Sequence, residues 1–272
     1  MKSLRIYYEL KARNNVQESV LEELSEELFG LPALESLNIT LSRIKFLPEN
    51  IHRSQRLRSL LLPNNALEAL PAGIADLPNL HRLEAPDNQI KELLHPIPAY
   101  KITLNNNPIA HISEAFAAGQ QAGRLWQLNL SHTALSALPE NLGNFEQLQT
   151  LELLHTPISD LPASVGRLQQ LRRLHLGRTR LRFLPKALGG LGALEWLDCT
   201  GCDIRRFSEQ MGEDFVLPAS LHSLYLGQNR FLGETSAAER GRLVGTGLLN
   251  LSLAGCGWVA MDDDFFAGLP NL

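Results

Sequence analysis

Residues 125–133 read Leu125-Trp126-Gln127-Leu128-Asn129-Leu130-Ser131-His132-Thr133, and 23 residues later Leu148-Gln149-Thr150-Leu151-Glu152-Leu153-Leu154-His155-Thr156 repeats the pattern. A third copy opens at Leu171 after the same interval of 23. Leucine holds the first, fourth and sixth places, and a small polar residue holds the ninth. In an extended segment alternate side chains point the same way, so Leu128 and Leu130 face an interior while Gln127 and Asn129 face out. The ninth residue also points inward, where its polar group can bond the backbone of the turns beside it.

The same spacing extends in both directions. Copies open at Leu34, Leu57, Leu80, Ala99, Leu125, Leu148, Leu171, Leu194, Leu221 and Leu248. The ladder place holds Asn65, Asn88, Asn107 and Asn229, with Ser42, Thr133, Thr156, Thr179, Cys202 and Cys256 as substitutes of lower hydrogen-bonding capacity. Five of the nine start-to-start intervals are 23 residues, which sets the basic unit; 19, 26, 27 and 27 mark the irregular coils. Of 272 residues, 55 are leucine against 6% aromatic, the composition of one structural unit stacked on copies of itself. Each unit buries its leucines only against its neighbours.

Ten registered copies resemble the leucine-rich repeat family over residues 34–272. A second signature, Leu47-Pro48, Leu70-Pro71, Leu138-Pro139, Leu161-Pro162 and Leu184-Pro185, resembles the 23-residue type of Ras-binding-type and bacterial effector repeats. The resemblance implies an α/β solenoid, a horseshoe with a parallel sheet on its concave face. It also implies a protein-binding module. Two narrower functions follow from the same likeness. One is the substrate-recognition domain of a bacterial effector such as a ubiquitin ligase, whose catalytic domain would lie outside this chain. The other is a small-GTPase-binding regulator.

Residues 1–33 match no repeat. Val20, Leu21, Leu24 and Leu28 form one apolar helical face beside Glu18, Glu22, Glu23, Glu26 and Glu27, which predicts an N-terminal capping helix. At the other end Leu269-Pro270-Asn271-Leu272 copies Leu77-Pro78-Asn79-Leu80. An eleventh repeat is expected to open there, with the natural chain continuing past residue 272. Polar insertions at Glu209–Asp214 and Gly233–Gly247 read as loops.

Chemistry-bearing motifs reduce to structural seats. Cys199-x-x-Cys202 has the form of a zinc or redox pair, but the register puts Cys199 at a leucine place and Cys202 at the ladder place. Cys256 lies two coils further, beyond disulfide reach at strand spacing. Glu152, His175 and Asp198 occupy equivalent positions in three successive copies, with His155 and Arg178 beside them. Two carboxylates and an imidazole can hold a metal; opposite charges paired across neighbouring strands explain the row without one. Asp262, Asp263 and Asp264 read as a solvated loop. The reading is of a chain without catalytic residues, metal or cofactor.

The outward strand positions carry the functional expectation. They include Tyr100, Trp126, His132, Glu152, His155, Arg172, Arg173, His175, Arg178, Trp196, Asp198 and Tyr225, and five of the eight histidines fall at or beside the strands. Trp, Tyr and Arg are the side chains enriched where proteins grip one another. Net charge is −4 and acidic groups interleave with the arginines, so the expected partner is a protein or peptide rather than nucleic acid. No membrane span or signal peptide is read. The expected setting is a cytoplasmic monomer, or a protein secreted into a host cell if it is a bacterial effector.

Overall fold

The computed structural model describes residues 3–7, 21–119, 122–205, 217–230 and 247–256. The chain divides into two compact units, Met1–Ala134 and Leu135–Leu272. Both are built from the same coil: a short parallel strand, a sharp bend at the ladder residue, and a return arc.

In the first unit the main sheet runs β1 (Ser3–Tyr7), β2 (Ser36–Thr40), β3 (Ser59–Leu61), β4 (Arg82–Glu84), β6 (Lys101–Thr103), β8 (Gln127–Asn129), all parallel. A separate parallel pair, β5 (Glu92–Leu93) and β7 (His111–Ile112), belongs to the return side of the shortened 19-residue interval and the coil after it. In the second unit the order is β9 (Thr150–Glu152), β10 (Arg173–His175), β11 (Trp196–Asp198), β12 (Ser223–Tyr225), β13 (Asn250–Ser252). Register follows the leucine pattern: Leu151, Leu174, Leu197, Leu224 and Leu251 face one another across successive strands. Leu128, Leu130, Leu151, Leu153, Leu174 and Leu176 are all fully buried, as the alternation requires. Each such side chain contributes about 1.5–3 kcal/mol by leaving water.

The Leu-Pro signature sets the return arc. Pro48, Pro71, Pro162 and Pro185 each precede a 3-10 turn, at Glu49–Arg53, Ala72–Asp76, Ala163–Arg167 and Lys186–Gly190. Proline suits that seat because its ring fixes φ and its missing N–H is not needed there. The proline carbonyl accepts the first turn bond, as from Ile51 N at 3.1 Å and Val165 N at 3.0 Å. The third residue after each proline, Ile51, Ile74, Val165 or Leu188, is buried. Neighbouring arcs pack closely: a Cβ on Gly73 would lie 2.3 Å from Glu49 O, and one on Gly143 2.3 Å from Ser164 O.

The asparagine ladder has the geometry its position implies. Asn88 Nδ2 donates back to Leu62 O of the preceding coil at 2.8 Å, and Asn88 Oδ1 accepts from Leu67 N at 3.0 Å. Asn107 and Asn229 repeat both contacts. Thr133 and Thr156 each donate within their own coil, to Leu130 O and Leu153 O. Cys202 Sγ lies 3.2 Å from Leu176 O.

Directly before the ladder residue, every coil passes through the left-handed region. Leu41, Asn64, Asp87, Asn106, His132, His155, Arg178 and Gln228 have φ of 55–57°, and Gly201 and Gly255 fill the same seat at 67° and 74°. Left-handed backbone disfavours residues with a Cβ by about 1–2 kcal/mol, least for Asn and Asp. Leu41 is the poorest match, being also 46% exposed. Leu41→Gly is expected to raise unfolding free energy by about 1 kcal/mol, read as a higher urea midpoint. An unchanged or lower midpoint would mean that the leucine has packing worth more than its backbone strain.

The N-terminal segment differs from the expected helical cap. Val20 lies outside the described residues, Leu21–Ser25 carry no helix, and Glu26–Gly30 is a single 3-10 turn. Ser25 accepts from Glu27 N, and Phe29 rather than the Leu24/Leu28 face is the buried residue. The segment follows return-arc geometry because the next coil ties it down: Ser54 Oγ donates to Phe29 O at 2.9 Å and Asn50 Nδ2 to Glu26 O at 3.2 Å. Strand β1 extends the sheet beyond β2. The insertion Glu209–Asp214, most of Gly233–Gly247, Asp262–Asp264 and the expected eleventh repeat lie outside the described residues. Among the described residues, no helix is long and apolar enough to cross a membrane.

Candidate functional site

The outward strand positions form a separate surface in each unit. In the first unit, Tyr100 and Trp126 occupy the place after the opening Ala99 and Leu125, where the chain enters the strand, and both rings are exposed, 36% and 40%. The His81 and Tyr100 rings lie 4.9 Å apart between centroids. With Arg82 and Lys101 they line an open depression that Trp126 completes. Arg82 holds Glu84 with two bonds of 2.6 and 2.8 Å, and Lys101 approaches it at 3.4 Å. Burial pushes the Glu84 carboxyl up, but these two cations outweigh it and hold it below the usual carboxylate range. His132 stands at the left-handed seat of the same unit.

In the second unit, β9, β10 and β11 bring Glu152, His175 and Asp198 into one row, with Tyr225 next on β12. Arg173 pairs in register with Trp196. The indole of Trp196 lies between two rings, 4.1 Å from His175 and 5.2 Å from Tyr225. Tilted rings at such distances add roughly 0.5–1.5 kcal/mol per pair beyond burial, so the three side chains form a fixed aromatic strip. Burial lowers the His175 pKa against the opposing pull of Glu152 and Asp198, and Arg173 lowers it further. Arg172 reaches Glu195 at 2.8 Å on the exposed side, a pair worth at most about 1 kcal/mol in solvent. Asp198 Oδ1 accepts from Thr200 N at 2.8 Å, which turns it toward its own strand end.

Glu152, Arg173, His175, Trp196, Asp198 and Tyr225 lie on strands, and the predicted row of Glu152, His175 and Asp198 exists; Tyr100, Trp126 and Arg172 instead sit where the chain enters a strand, and His132, His155 and Arg178 at the left-handed seats past it. Among the described residues no group of three His, Cys, Asp or Glu side chains is placed to hold a metal ion. Cys199 and Cys202 are both interior thiols. Burial pushes Cys199 well up and Cys202 up from the usual thiol range, which leaves them poor nucleophiles and ligands. Sequence reading missed the left-handed seat, although its residue types (Asn, Asp, His, Gly) signalled it, and missed the arginines that follow it.

The sequence matches no curated protein. The family profile described as a leucine-rich repeat region matches residues 120–217. Among solved structures, the leucine-rich repeat domain of APL1B superposes with a TM-score of 0.70 at 19% identity, covering 93% of this chain and 72% of that one. An internalin, InlF, from Listeria monocytogenes gives 0.61 at 18% identity, covering 91% and 75%. The plant peptide hormone receptor RGFR1, in complex with RGF2, gives 0.54 at 18% identity, covering 85% of this chain but only 41% of the receptor chain. Residues 120–217 match the model of a leucine-rich repeat region, and the described residues of each unit have the leucine-rich repeat fold.

Proposed function

We propose that the chain is a binding module that takes a protein or peptide partner on the strand face of its second unit, and that it acts by binding rather than by turnover. The observation that carries this reading is the strip His175–Trp196–Tyr225. These side chains stand on the sheet face opposite the leucines, so the fold has no need of large aromatic rings there. Held rigid by mutual contact, they offer wide apolar area at little entropic cost on binding. Arg172 and Arg173 flank the strip with guanidinium groups suited to carboxylates. Tyr100 and Trp126 offer a second, separate aromatic surface in the first unit. A peptide hormone receptor in complex is among the proteins sharing the fold, which supports the same use.

The test is selection of peptides from a displayed random library on the full chain. Trp196→Ala is expected to weaken a selected peptide about 30-fold, the equivalent of about 2 kcal/mol, with a loss of stability no larger than the roughly 0.5–1.5 kcal/mol of each ring pair it removes. A variant that loses stability but keeps affinity would sink the assignment.

A further inference from the structure

We infer that the loop edge following the strands of the second unit recognises an acidic segment of a partner protein. This rests on the binding-module reading and gives its partner a chemistry. The coils place residues on this edge in register. Arg180 N bonds Ile158 O at 2.8 Å, Asp203 N bonds Leu181 O at 3.1 Å, and Arg230 N bonds Ile204 O at 3.1 Å. Arg180, Asp203 and Arg230 therefore form one column across three coils. Arg205 N bonds Arg182 O at 2.9 Å and sets a second column beside it, while Arg178 and Gln228 flank the first from the left-handed seats. Five exposed arginines face one aspartate on a chain whose net charge is −4. Asp203 is taken by Arg205 at 3.0 Å. Among the described residues Arg178, Arg180, Arg182 and Arg230 have no ion pair. Arg178 and Arg230 line an open depression together with Gly201, Asp203 and Gln228.

The arrangement favours separated carboxylates over other anions. Adjacent coils lie about 4.8 Å apart, so the guanidinium groups stand on a grid spanning several coils instead of converging on one phosphate. The adjoining strand face carries Glu152, Glu195 and Asp198, which repel a continuous polyanion such as nucleic acid or an anionic membrane. A peptide can set Asp or Glu side chains on the arginines and apolar ones on the aromatic strip. Each arginine offers a planar fork that matches a carboxylate.

The experiment uses the full chain and peptides of roughly 12 residues selected from the random library. Selected sequences are expected to be rich in Asp and Glu. Arg180→Glu combined with Arg230→Glu is expected to weaken them about tenfold or more, with affinity falling as salt rises. Arg180→Gln, which removes charge without reversing it, serves if the double reversal lowers the melting temperature. Peptides that lose affinity with Trp196→Ala but ignore the arginine changes overturn this inference and leave the binding face standing. Acidic peptides that need the arginines but not Trp196 support it and remove the aromatic anchor. Failure to select any peptide, or equally tight arginine-dependent binding of phosphatidylserine vesicles, overturns it.

Discussion

Leu174→Ala is expected to lower the unfolding free energy by about 2–5 kcal/mol. Leu174 is fully buried and lies in register between Leu151 and Leu197, themselves fully buried. Truncation removes transfer energy and leaves a cavity that cannot close, because the strand is held by parallel pairing to its neighbours on both sides. Urea denaturation of the full chain, followed by far-UV circular dichroism, reads the effect as a lower midpoint. In a repeat array the loss falls on the neighbouring interfaces first, so the transition is also expected to broaden. A midpoint shift equivalent to less than about 0.5 kcal/mol would place Leu174 outside the interior and reverse the strand register.

Asn88→Ala carries the second large effect, about 2–4 kcal/mol. The side chain is 2% exposed and serves four backbone groups: it donates toward Leu62 O, Ala85 O and Pro86 O, and accepts from Leu67 N. Alanine leaves Leu67 N buried without its acceptor, and the carbonyls without their shared donor. Thr156→Ala, which removes a single 2.8 Å bond to Leu153 O, is expected to cost only about 1 kcal/mol. Hydrogen exchange distinguishes the two causes, since the Leu67 amide should exchange faster in the asparagine variant alone. Equal costs for both substitutions would show that the ladder contributes through shape rather than through its hydrogen bonds.

Much of the fold was legible because two periods coincide. The two-residue alternation of Leu-x-Leu fixes which side chains face inward, and the 23-residue interval fixes which of them meet. Leu151, Leu174 and Leu197, and the row Glu152, His175, Asp198, follow from those two numbers alone. The return arc was legible in part, since Leu-Pro marks where a 3-10 turn begins. The N-terminal segment was not. Leu21, Leu24 and Leu28 have helical spacing, but tertiary bonds from Ser54 and Asn50 impose arc geometry on it, and a pattern in one segment carries no sign of its neighbour's demands. The arginine edge was missed for a related reason. Arg180, Arg182, Arg205 and Arg230 lie past the alternating segment, and only alignment of whole coils brings them together.

The left-handed seat has a consequence for redesign. Its side chains, among them His132, His155, Arg178 and Gln228, project from a backbone position that recurs in every coil and have no part in the leucine interior. Recognition can therefore be rewritten there one coil at a time, with little penalty to folding, but the usable alphabet is not all twenty residues. Gly, Asn and Asp enter freely, and long unbranched side chains enter at modest strain. Val, Ile and Thr are barred by their branched Cβ. A library that omits those three at this column keeps most of its members folded, whereas one that randomises it evenly discards diversity to backbone strain before any partner is met.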